Sequence, residues 1–313
     1  MKALITGVTG FVGGYLVNEL KKTGWDVSGT RLPTETSNLD IPVYGLDILD
    51  AAAVKNLIHK TSPDCIFHLA AQSSVAVSWK QPALTVDINV KGVINLLEAA
   101  NAVQQPPKIL LIGSGEEYGY LQPDDLPVKE DTRLRPGNIY ACTKIIQGML
   151  GQVYSGAYGL EIIIIRAFNH MGPGQTDTFV IPAFCKQVAE IEAKGNTGKI
   201  KVGNLEAKRD FTDVRDIVRA YRLLAEKGQS GEVYNVGSGT SVSIADILDG
   251  ILKLSKAKID IEQDPARMRP SDVPDIQADI SKLVSNTGWK PEITLEATLS
   301  DVLDEWRGKG ING

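Results

Sequence analysis

Cysteine and histidine are scarce in this chain of 313 residues, which contains three of each. Cys65, Cys142 and Cys185 lie far apart in the sequence, and no pair has the close spacing of a zinc site or a disulfide framework. The histidines also lack the spacing of metal ligands. We therefore predict no metal site and a reducing, cytoplasmic environment.

An excess of basic charge and a long apolar run are also absent. The chain has 33 Lys and Arg against 38 Asp and Glu, a formal net charge of -5. Charge-driven nucleic-acid binding needs a basic face, so no nucleic-acid partner is expected. The longest aliphatic run covers residues 162–165, and the N-terminus passes directly into a short apolar strand. We expect neither an export signal nor a membrane span.

Short apolar runs alternate with stretches of helical periodicity along the first half of the chain. The predicted strands cover 3–5, 27–30, 43–46, 65–69, 109–112 and 162–166, and the predicted helices cover 11–22, 51–60, 82–102 and 140–158. Strands this apolar are typically buried on both faces of a parallel sheet. The pattern predicts an α/β fold with a Rossmann-type doubly wound parallel sheet, whose ligand crevice lies at the carboxyl ends of the strands.

The second half of the chain has a less regular pattern. Helical periodicity covers 181–193, 214–225, 244–254 and 295–306, and strand-like runs cover 200–202 and 233–236. We predict an NAD(P)-binding Rossmann domain over residues 1–165. Residues 166–313 are expected to form mainly a smaller, discontinuous, mixed α/β substrate domain, with some segments returning to the Rossmann domain.

A glycine turn follows the first predicted strand. In KALITGVTGFVGG, Gly7, Gly10 and Gly13 stand directly between that strand and the first helix. Without side chains, the turn tightens and a pyrophosphate can approach the backbone, while the helix N-terminus supplies N–H groups and positive potential. The alternative is a turn that only joins strand to helix, and the sequence context favours a dinucleotide site.

Two residues near the next strand ends concern the choice of coenzyme. Arg31 ends the second strand, where an acid would bind the adenosine ribose of NAD; an arginine favours the 2′-phosphate of NADP(H), with NAD(H) as the alternative. Asp47 follows the third strand. It either binds the adenine amino group or caps the helix over 51–60, and the sequence supports both readings.

Tyr140 and Lys144 are one helical turn apart in YACTK. Positions i and i+4 share a helix face, so both side chains can enter one crevice. A neighbouring ammonium favours the phenolate, which predicts a lowered pKa for Tyr140 and makes it an acid or base for carbonyl chemistry. Lys144 can also bind the nicotinamide ribose. Cys142 points elsewhere on the helix, and we predict that it packs against other side chains rather than acting as a nucleophile.

The strand at 109–112 ends in GSGEEYG, which places Ser114 and Glu116 at the mouth of the crevice. Ser114 can donate a hydrogen bond to a carbonyl oxygen beside Tyr140, or can serve only as a loop or cap residue. Glu116 can abstract a proton next to a ketone, bind a sugar hydroxyl or cap the following turn.

TGVTGFVG, HLAAQSS, GSGEEYG, YACTK and FNHMGPGQ resemble the extended short-chain dehydrogenase/reductase family, whose members act on nucleotide-linked sugars. The resemblance spans nearly the whole chain. IKVGNLEAKRDFTDVRDIVRAY, with MRPSDVP after it, most resembles the branch that reduces the C4 ketone of GDP-4-keto-6-deoxy-D-mannose to GDP-D-rhamnose. The resemblance implies a catalytic triad with an auxiliary glutamate, formed by Ser114, Tyr140, Lys144 and Glu116.

The same resemblance implies the remaining site residues. Those assigned to the coenzyme, besides the residues already named, are Phe11, Val12, Ile48, Leu69, Ala70 and Ala71. Asn169, which opens the loop after the Ile-rich strand, is placed at the sugar or nicotinamide end. Arg209 and Arg269 are assigned to the substrate diphosphate, because guanidinium groups match phosphate oxygens. Lys186 and Asn204 complete the nucleotide pocket.

The implied mechanism is hydride delivery to the ketone carbon while Tyr140 protonates the oxygen and Ser114 polarises the carbonyl. A GDP-mannose 4,6-dehydratase is the nearest alternative, since the same residues suit transient oxidation and proton removal. A sugar 4-epimerase follows, and a dinucleotide sensor without catalysis is disfavoured because it needs no such triad. The helices over 82–102 and 140–158 resemble a pair through which relatives dimerise, so a homodimer is expected.

Overall fold

The computed structural model describes residues 1–267 and 273–310. In those ranges the strands are β1 (Lys2–Thr6), β2 (Asp26–Arg31), β3 (Val43–Gly45), β4 (Cys65–His68), β5 (Lys108–Ser114), β6 (Ile162–Ala167), β7 (Asn169–Met171), β8 (Thr197–Val202), β9 (Lys208–Asp213), β10 (Val233–Val236), β11 (Ser241–Ser243), β12 (Lys258–Gln263) and β13 (Asp275–Ile276). The α-helices are α1 (Phe11–Lys22), α2 (Ala51–Thr61), α3 (Val75–Lys80), α4 (Pro82–Val86), α5 (Gly92–Asn101), α6 (Ile139–Tyr158), α7 (Val180–Ala193), α8 (Val214–Lys227), α9 (Ile244–Lys253), α10 (Ser281–Thr287) and α11 (Leu295–Gly310).

Seven parallel strands form the main sheet, in the order β10-β6-β5-β4-β1-β2-β3. The chain builds outward from β1 in one direction and then crosses to β4 on the other side. Ligands of such sheets bind at the carboxyl ends of the strands where the order reverses, which here is between β1 and β4. The predicted doubly wound α/β fold is therefore confirmed.

Alternate residues of each central strand pack on opposite faces of the sheet. Ile5, Phe67 and Leu110 belong to a cluster with the apolar sides of α1 and α8. Their neighbours Leu4 and Ile66 belong to a second cluster with α2 and α5. Each large aliphatic side chain buried in this way stabilises the fold by roughly 1.5–3 kcal/mol. The helices thus cover both faces and leave the strand ends to form the site.

A second group of elements follows β6. Strand β9 pairs with β7, β11 and β13, and β8 pairs with β12 in a separate ribbon. Helices α7, α9 and α11 pack together in their own apolar cluster. Between these elements the chain returns to the main sheet, because α8 packs on its face and β10 adds its outer strand beside β6.

The helix predicted over 82–102 is not continuous. It consists of α4, a π-helical turn at Asp87–Lys91, and α5. Asn89 in that turn is buried and accepts a hydrogen bond from the Gln72 amide at 2.8 Å. Its amide group also donates to the Gln72 carbonyl at 3.0 Å and to the Thr143 hydroxyl at 3.0 Å. The wider turn therefore places a polar side chain between two other segments, which apolar periodicity does not reveal.

Candidate active site

The glycine turn lies at the point where the strand order reverses. Gly7 has a φ of +69°, and a Cβ there would come within 2.9 Å of the Ala70 backbone. At Gly13 a Cβ would lie 2.0 Å from the Val8 carbonyl oxygen. Helix α1 begins with Gly10 as its N-cap, which supplies no side-chain cap. The turn thus needs these glycines to close, and it presents a helix N-terminus to the crevice.

A cleft of about 660 Å³ lies over this turn. This volume is within the range of sites for small molecules and cofactors. The lining residues come from the glycine turn and α1, from the segment after β2 and from the Gly/Pro loop after β7: Val8, Thr9, Gly10, Phe11, Gly14, Tyr15, Asn18, Thr36, Ser37, Asn38, Leu39, Pro173, Gly174 and Thr176. The cleft therefore joins the two groups of elements.

The predicted coenzyme residues of α1 divide between the cleft and the core. Gly10 and Phe11 line the cleft, and the Phe11 ring stacks on the His170 ring with centroids 6.0 Å apart. Val12 packs against the apolar cluster beneath the sheet, and Gly13 is buried. Of these four residues, Gly10 and Phe11 thus line the cleft, and the side chain of Val12 turns toward the core.

Arg31 and Asp47 lie at the ends of neighbouring strands. Arg31 is partly exposed, and its Nη1 donates to the carbonyl oxygens of Leu32 and Pro33 at 2.9 and 3.2 Å. Asp47 is exposed and accepts from the Leu49 amide at 2.9 Å. The reading of Asp47 as a helix cap is wrong. Asp50, which directly precedes α2, accepts from the amide three residues on and is the N-cap.

The segment after β4 forms the opposite side of the glycine turn. The Ala70 amide donates to the Thr6 hydroxyl at 3.2 Å, and Leu69 and Ala71 beside it are half-buried. Ile48, by contrast, is buried, and its side chain lies where a Cβ on Gly92 would approach it within 2.8 Å. Its side chain packs inward, so only its main chain can face a ligand.

Helix α6 carries Tyr140 and Lys144 to the end of β5. Asn138 is its N-cap and accepts from the Ala141 amide at 2.8 Å. Tyr140 and Lys144 are both buried, and the Lys144 Nζ lies 5.9 Å from the centre of the Tyr140 ring. The same Nζ donates to the Ile112 carbonyl at 2.7 Å, which holds the ammonium beside the C-terminal end of β5. The predicted pair does share one face.

Burial determines the protonation of these two side chains. It lowers the pKa of Lys144 to about 8, although the charge of Glu117 acts in the opposite direction. It raises the pKa of Tyr140; a hydrogen bond with the Ser114 side chain opposes the rise, and the carboxylates of Glu117 and Glu116 add to it. The predicted lowering of the Tyr140 pKa by Lys144 is therefore wrong, because desolvation of the phenolate outweighs the neighbouring ammonium.

Ser114 and Glu116 lie where β5 ends. The Ser114 Oγ accepts from the Glu116 amide at 3.2 Å and is hydrogen-bonded to Tyr140. The Glu116 Oε2 accepts from the Asn138 Nδ2 at 3.0 Å. Asn138 thus ties Glu116 to the start of α6. The sequence reading missed it, although an asparagine two residues before Tyr140 is a recognisable N-cap signal.

Sequence reading also missed Glu117, the second glutamate of GSGEEYG. It is buried, accepts from the Ser114 amide at 2.8 Å, and pairs with the Arg166 Nε at 3.0 Å. Two adjacent glutamates thus have different surroundings, since Glu116 is half-buried beside Asn138 and Glu117 faces the interior.

The residues predicted to bind the substrate lie on different elements of the second group. Asn169 is exposed at the start of β7. Lys186 pairs with Asp177 at 2.7 Å and lies over the Trp306 ring. The Asn204 side chain accepts from the Glu206 amide at 3.0 Å. The three residues thus lie on β7, on α7 and in the segment after β8.

Of the two arginines predicted to bind the substrate diphosphate, the structure describes Arg209. Arg209 is 8% exposed, and its Nη1 donates to the carbonyls of Lys208 and Val273 at 2.7 Å each. Arg269 lies outside the described residues. Arg209 is thus held firmly by the main chain at the centre of the smaller sheet.

Cys142 and His68 complete the comparison with the sequence prediction. Cys142 is exposed on α6, so its predicted packing role is wrong for this chain; the helix turns its position away from the sheet. His68 is a buried strand residue, as predicted, and bonds the Thr6 hydroxyl at 2.8 Å. Within residues 1–267 and 273–310, no cluster of three metal-ligating side chains is present. No helix in the described part is long and apolar enough to span a membrane.

Comparisons with known proteins agree with this geometry. The family profile described as GDP-mannose 4,6 dehydratase matches residues 4–302. GDP-6-deoxy-D-mannose reductase of Pseudomonas aeruginosa is 33% identical over 308 residues, covering 98% of each chain. The structure of RMD from Pseudomonas aeruginosa complexed with NADPH has a TM-score of 0.87 and 32% identity, covering 98% of this chain and 99% of that one.

A more distant relative binds the other nicotinamide coenzyme. UDP-glucose 4-epimerase of Thermus thermophilus, solved in complex with NAD, has a TM-score of 0.87 and 27% identity, covering 98% of this chain and 99% of that one. The fold thus occurs with both coenzymes. Because the family profile and the reductase relative span nearly its whole length, the chain belongs to the GDP-mannose 4,6-dehydratase family of extended short-chain dehydrogenases/reductases.

Proposed function

We propose that this protein is an NAD(P)H-dependent reductase that converts the C4 ketone of GDP-4-keto-6-deoxy-D-mannose to the alcohol of GDP-D-rhamnose. The observation that carries the proposal is the convergence of Ser114, Tyr140 and Lys144 at the end of β5, in the same parallel sheet whose β1 leads into the glycine turn. The alignment with a GDP-6-deoxy-D-mannose reductase over 98% of both chains supports this substrate class.

The residues of the glycine turn fit a dinucleotide. The turn has no space for a side chain at Gly7 or Gly13, so the backbone can come close to a ligand there. The N-terminus of α1 offers N–H groups for phosphates, and the cleft lies over the turn and the start of this helix. When bound there, the reduced nicotinamide supplies a hydride. Arg31 at the end of β2 suits a 2′-phosphate, so we propose NADP(H) as the preferred coenzyme and NAD(H) as the alternative.

The chain's own groups handle the proton. The ketone gains a hydride at carbon and one proton at oxygen, and the buried Tyr140 hydroxyl is the donor. Its raised pKa keeps it protonated at neutral pH, as a donor must be. Ser114 donates a hydrogen bond to the carbonyl oxygen, and the Lys144 ammonium stabilises the negative charge that passes to the phenol oxygen.

Substrate binding is assigned to the second group of elements. Asn169 faces the sugar or nicotinamide end, and Lys186, Asn204, Arg209 and Arg269 contact the nucleotide and its diphosphate. The guanidinium of Arg209 suits phosphate oxygens. In this proposal residues 1–165 hold the coenzyme, and residues 166–313 mainly hold the GDP-linked sugar.

A GDP-mannose 4,6-dehydratase is the second candidate, with another nucleotide-sugar dehydratase or 4-epimerase after it. Glu116 favours it, since a half-buried carboxylate beside Tyr140 can remove a proton next to a ketone. Purified protein incubated with GDP-4-keto-6-deoxy-D-mannose and NADPH separates the two. For the reductase we expect the absorbance of the reduced coenzyme to fall only when the keto sugar is present. If the absorbance does not fall, and the protein instead converts GDP-mannose in a parallel incubation, the reductase proposal is contradicted.

We further propose a cytoplasmic homodimer formed through α4 and α6. One side of α6 exposes Ile146, Met149 and Val153, and α4 exposes Leu84 and Val86. A contiguous apolar surface of this kind favours a two-fold contact between copies. Met149→Glu with Val153→Glu should convert a dimer to a monomer in sedimentation experiments. A wild-type monomer, or an unchanged mass for the variant, contradicts the proposed interface.

A further inference from the structure

A buried ion pair lies directly behind the catalytic serine. The Arg166 Nε donates to the Glu117 Oε2 at 3.0 Å, and the Ser114 amide donates to the Glu117 Oε1 at 2.8 Å. The Glu117 side chain is 1% exposed. Both carboxylate oxygens therefore have a partner, one on β6 and one at the end of β5.

The main chain leaves space for this carboxylate. A Cβ at Gly113 would lie 2.4 Å from the Glu117 Oε1 and 2.7 Å from the Ile165 carbonyl oxygen. Arg166 is also held elsewhere, because its Nη1 donates to the Tyr118 hydroxyl at 3.0 Å and to the Glu130 carbonyl at 2.8 Å. Neither member of the pair can move without breaking other buried hydrogen bonds.

We propose that Glu117, paired with Arg166, is a positioning residue that fixes Ser114 opposite Tyr140 and stabilises the Lys144 ammonium. This inference rests on the proposed reductase function. Glu117 closes a capping box with Ser114, bonding its main-chain amide while the serine hydroxyl accepts from the Glu116 amide. The serine rotates little in that arrangement, so its hydroxyl stays with the Tyr140 phenol.

The charge of Glu117 acts on the same catalytic groups. The titratable groups that face it are Arg166 from β6, Tyr118 next to it, and Lys144 and Tyr140 from α6. A carboxylate disfavours loss of a proton from either catalytic side chain. The Glu117 charge raises the pKa of Lys144, against the lowering by burial, and it adds to the rise of the Tyr140 pKa. Both groups are thus kept in the proton-bearing forms that reduction requires.

A double-mutant cycle tests whether Glu117 acts through the serine. Glu117→Gln should lower kcat about 10- to 100-fold, the effect of one charge-assisted hydrogen bond. In a Ser114→Ala background, assayed well below the Lys144 titration midpoint of each variant so that the ammonium is retained, the same change should have less than about a threefold effect, because coupled residues are not additive. Additive effects, or a wild-type kcat for Glu117→Gln, would overturn the proposal.

Two further variants separate positioning from folding. Asp216→Asn, the control, breaks the buried pair between Asp216 and Arg219, 2.6 Å apart on α8, and should leave kcat unchanged. The double variant Glu117→Leu with Arg166→Met replaces the buried ion pair with apolar side chains, which often preserves stability. It should fold and bind NADPH but show the reduced kcat. A folded double variant with wild-type kcat refutes the positioning role.

The Lys144 ammonium can be titrated without substrate. ¹³C NMR of labelled lysine side chains, with Lys144 assigned from Lys144→Arg, gives its titration midpoint in each variant. Glu117→Gln should move that midpoint to lower pH, and Asp216→Asn should not. If the Lys144 midpoint does not move in Glu117→Gln, the inference about Glu117 is contradicted, whether or not the protein reduces the keto sugar. If the midpoint moves as predicted but the wild-type protein does not reduce the keto sugar, only the proposed function is contradicted.

Discussion

Replacing Tyr140 with Phe isolates the proton transfer from the rest of the site. The change removes one hydroxyl and keeps a ring that is 8% exposed, so the fold should lose only about 0.5–1.5 kcal/mol from one buried hydrogen bond. Loss of a positioned proton donor lowers a rate by about 100- to 10,000-fold, which corresponds to about 3–5 kcal/mol in the barrier. We expect that loss in kcat.

The assay is NADPH-dependent reduction of the GDP-linked keto sugar, with coenzyme affinity and thermal unfolding measured on the same preparations. Tyr154→Phe is the matched control. It removes another partly buried hydroxyl from α6, one that bonds Glu98, roughly 21 Å further along the helix axis. Its kcat should match wild type. A decrease below tenfold for Tyr140→Phe, with coenzyme affinity intact, would show that another group donates the proton.

Three further predictions concern pH, coenzyme choice and the glycine turn. Burial lowers the pKa of Lys144 to about 8, so its ammonium is lost as pH rises through that value; kcat should be level below about 8 and fall above it in a pH–rate profile, and a level profile contradicts the assigned role. Arg31→Ala should raise the KM for NADPH about tenfold or more and leave the KM for NADH within twofold, whereas equal changes would remove Arg31 from the 2′-phosphate site. Gly13→Ala places a Cβ 2.0 Å from a backbone carbonyl oxygen and should lower the stability by about 1–3 kcal/mol, while Gly14→Ala, 3.9 Å from its nearest neighbour, should be neutral or stabilising in thermal unfolding; the reverse order contradicts the geometry.

The main sheet was predictable because its central strands are buried on both faces and most of its strands are followed by a helix. Residues 162–165 are all isoleucine, and they form the first four residues of β6. The short strands β7, β11 and β13, the exposed β12 and the largely polar β9 were not predicted. Strands of two or three residues contain too few positions to show a period, and the pairing that creates them is tertiary.

The chemical side chains of the site were predictable from type and spacing, but their surroundings were not. Tyr140 and Lys144 share one face because they are one turn apart. Whether the phenol is desolvated depends on burial, which spacing does not report, so the predicted direction of its pKa shift was wrong. Sequence likewise does not distinguish Glu116 from Glu117. The two residues are adjacent and identical in type, and they differ only in the side of the turn that each one faces.

Label transfer from reduced coenzyme tests the central claim most directly. The protein would be incubated with GDP-4-keto-6-deoxy-D-mannose and NADPH that carries deuterium at the transferable position, and the sugar product would be examined by NMR together with the amount of coenzyme oxidised. The proposed reductase places one deuterium at C4 of the product for each NADPH consumed. An unlabelled C4, or product formed without net oxidation of the coenzyme, contradicts it.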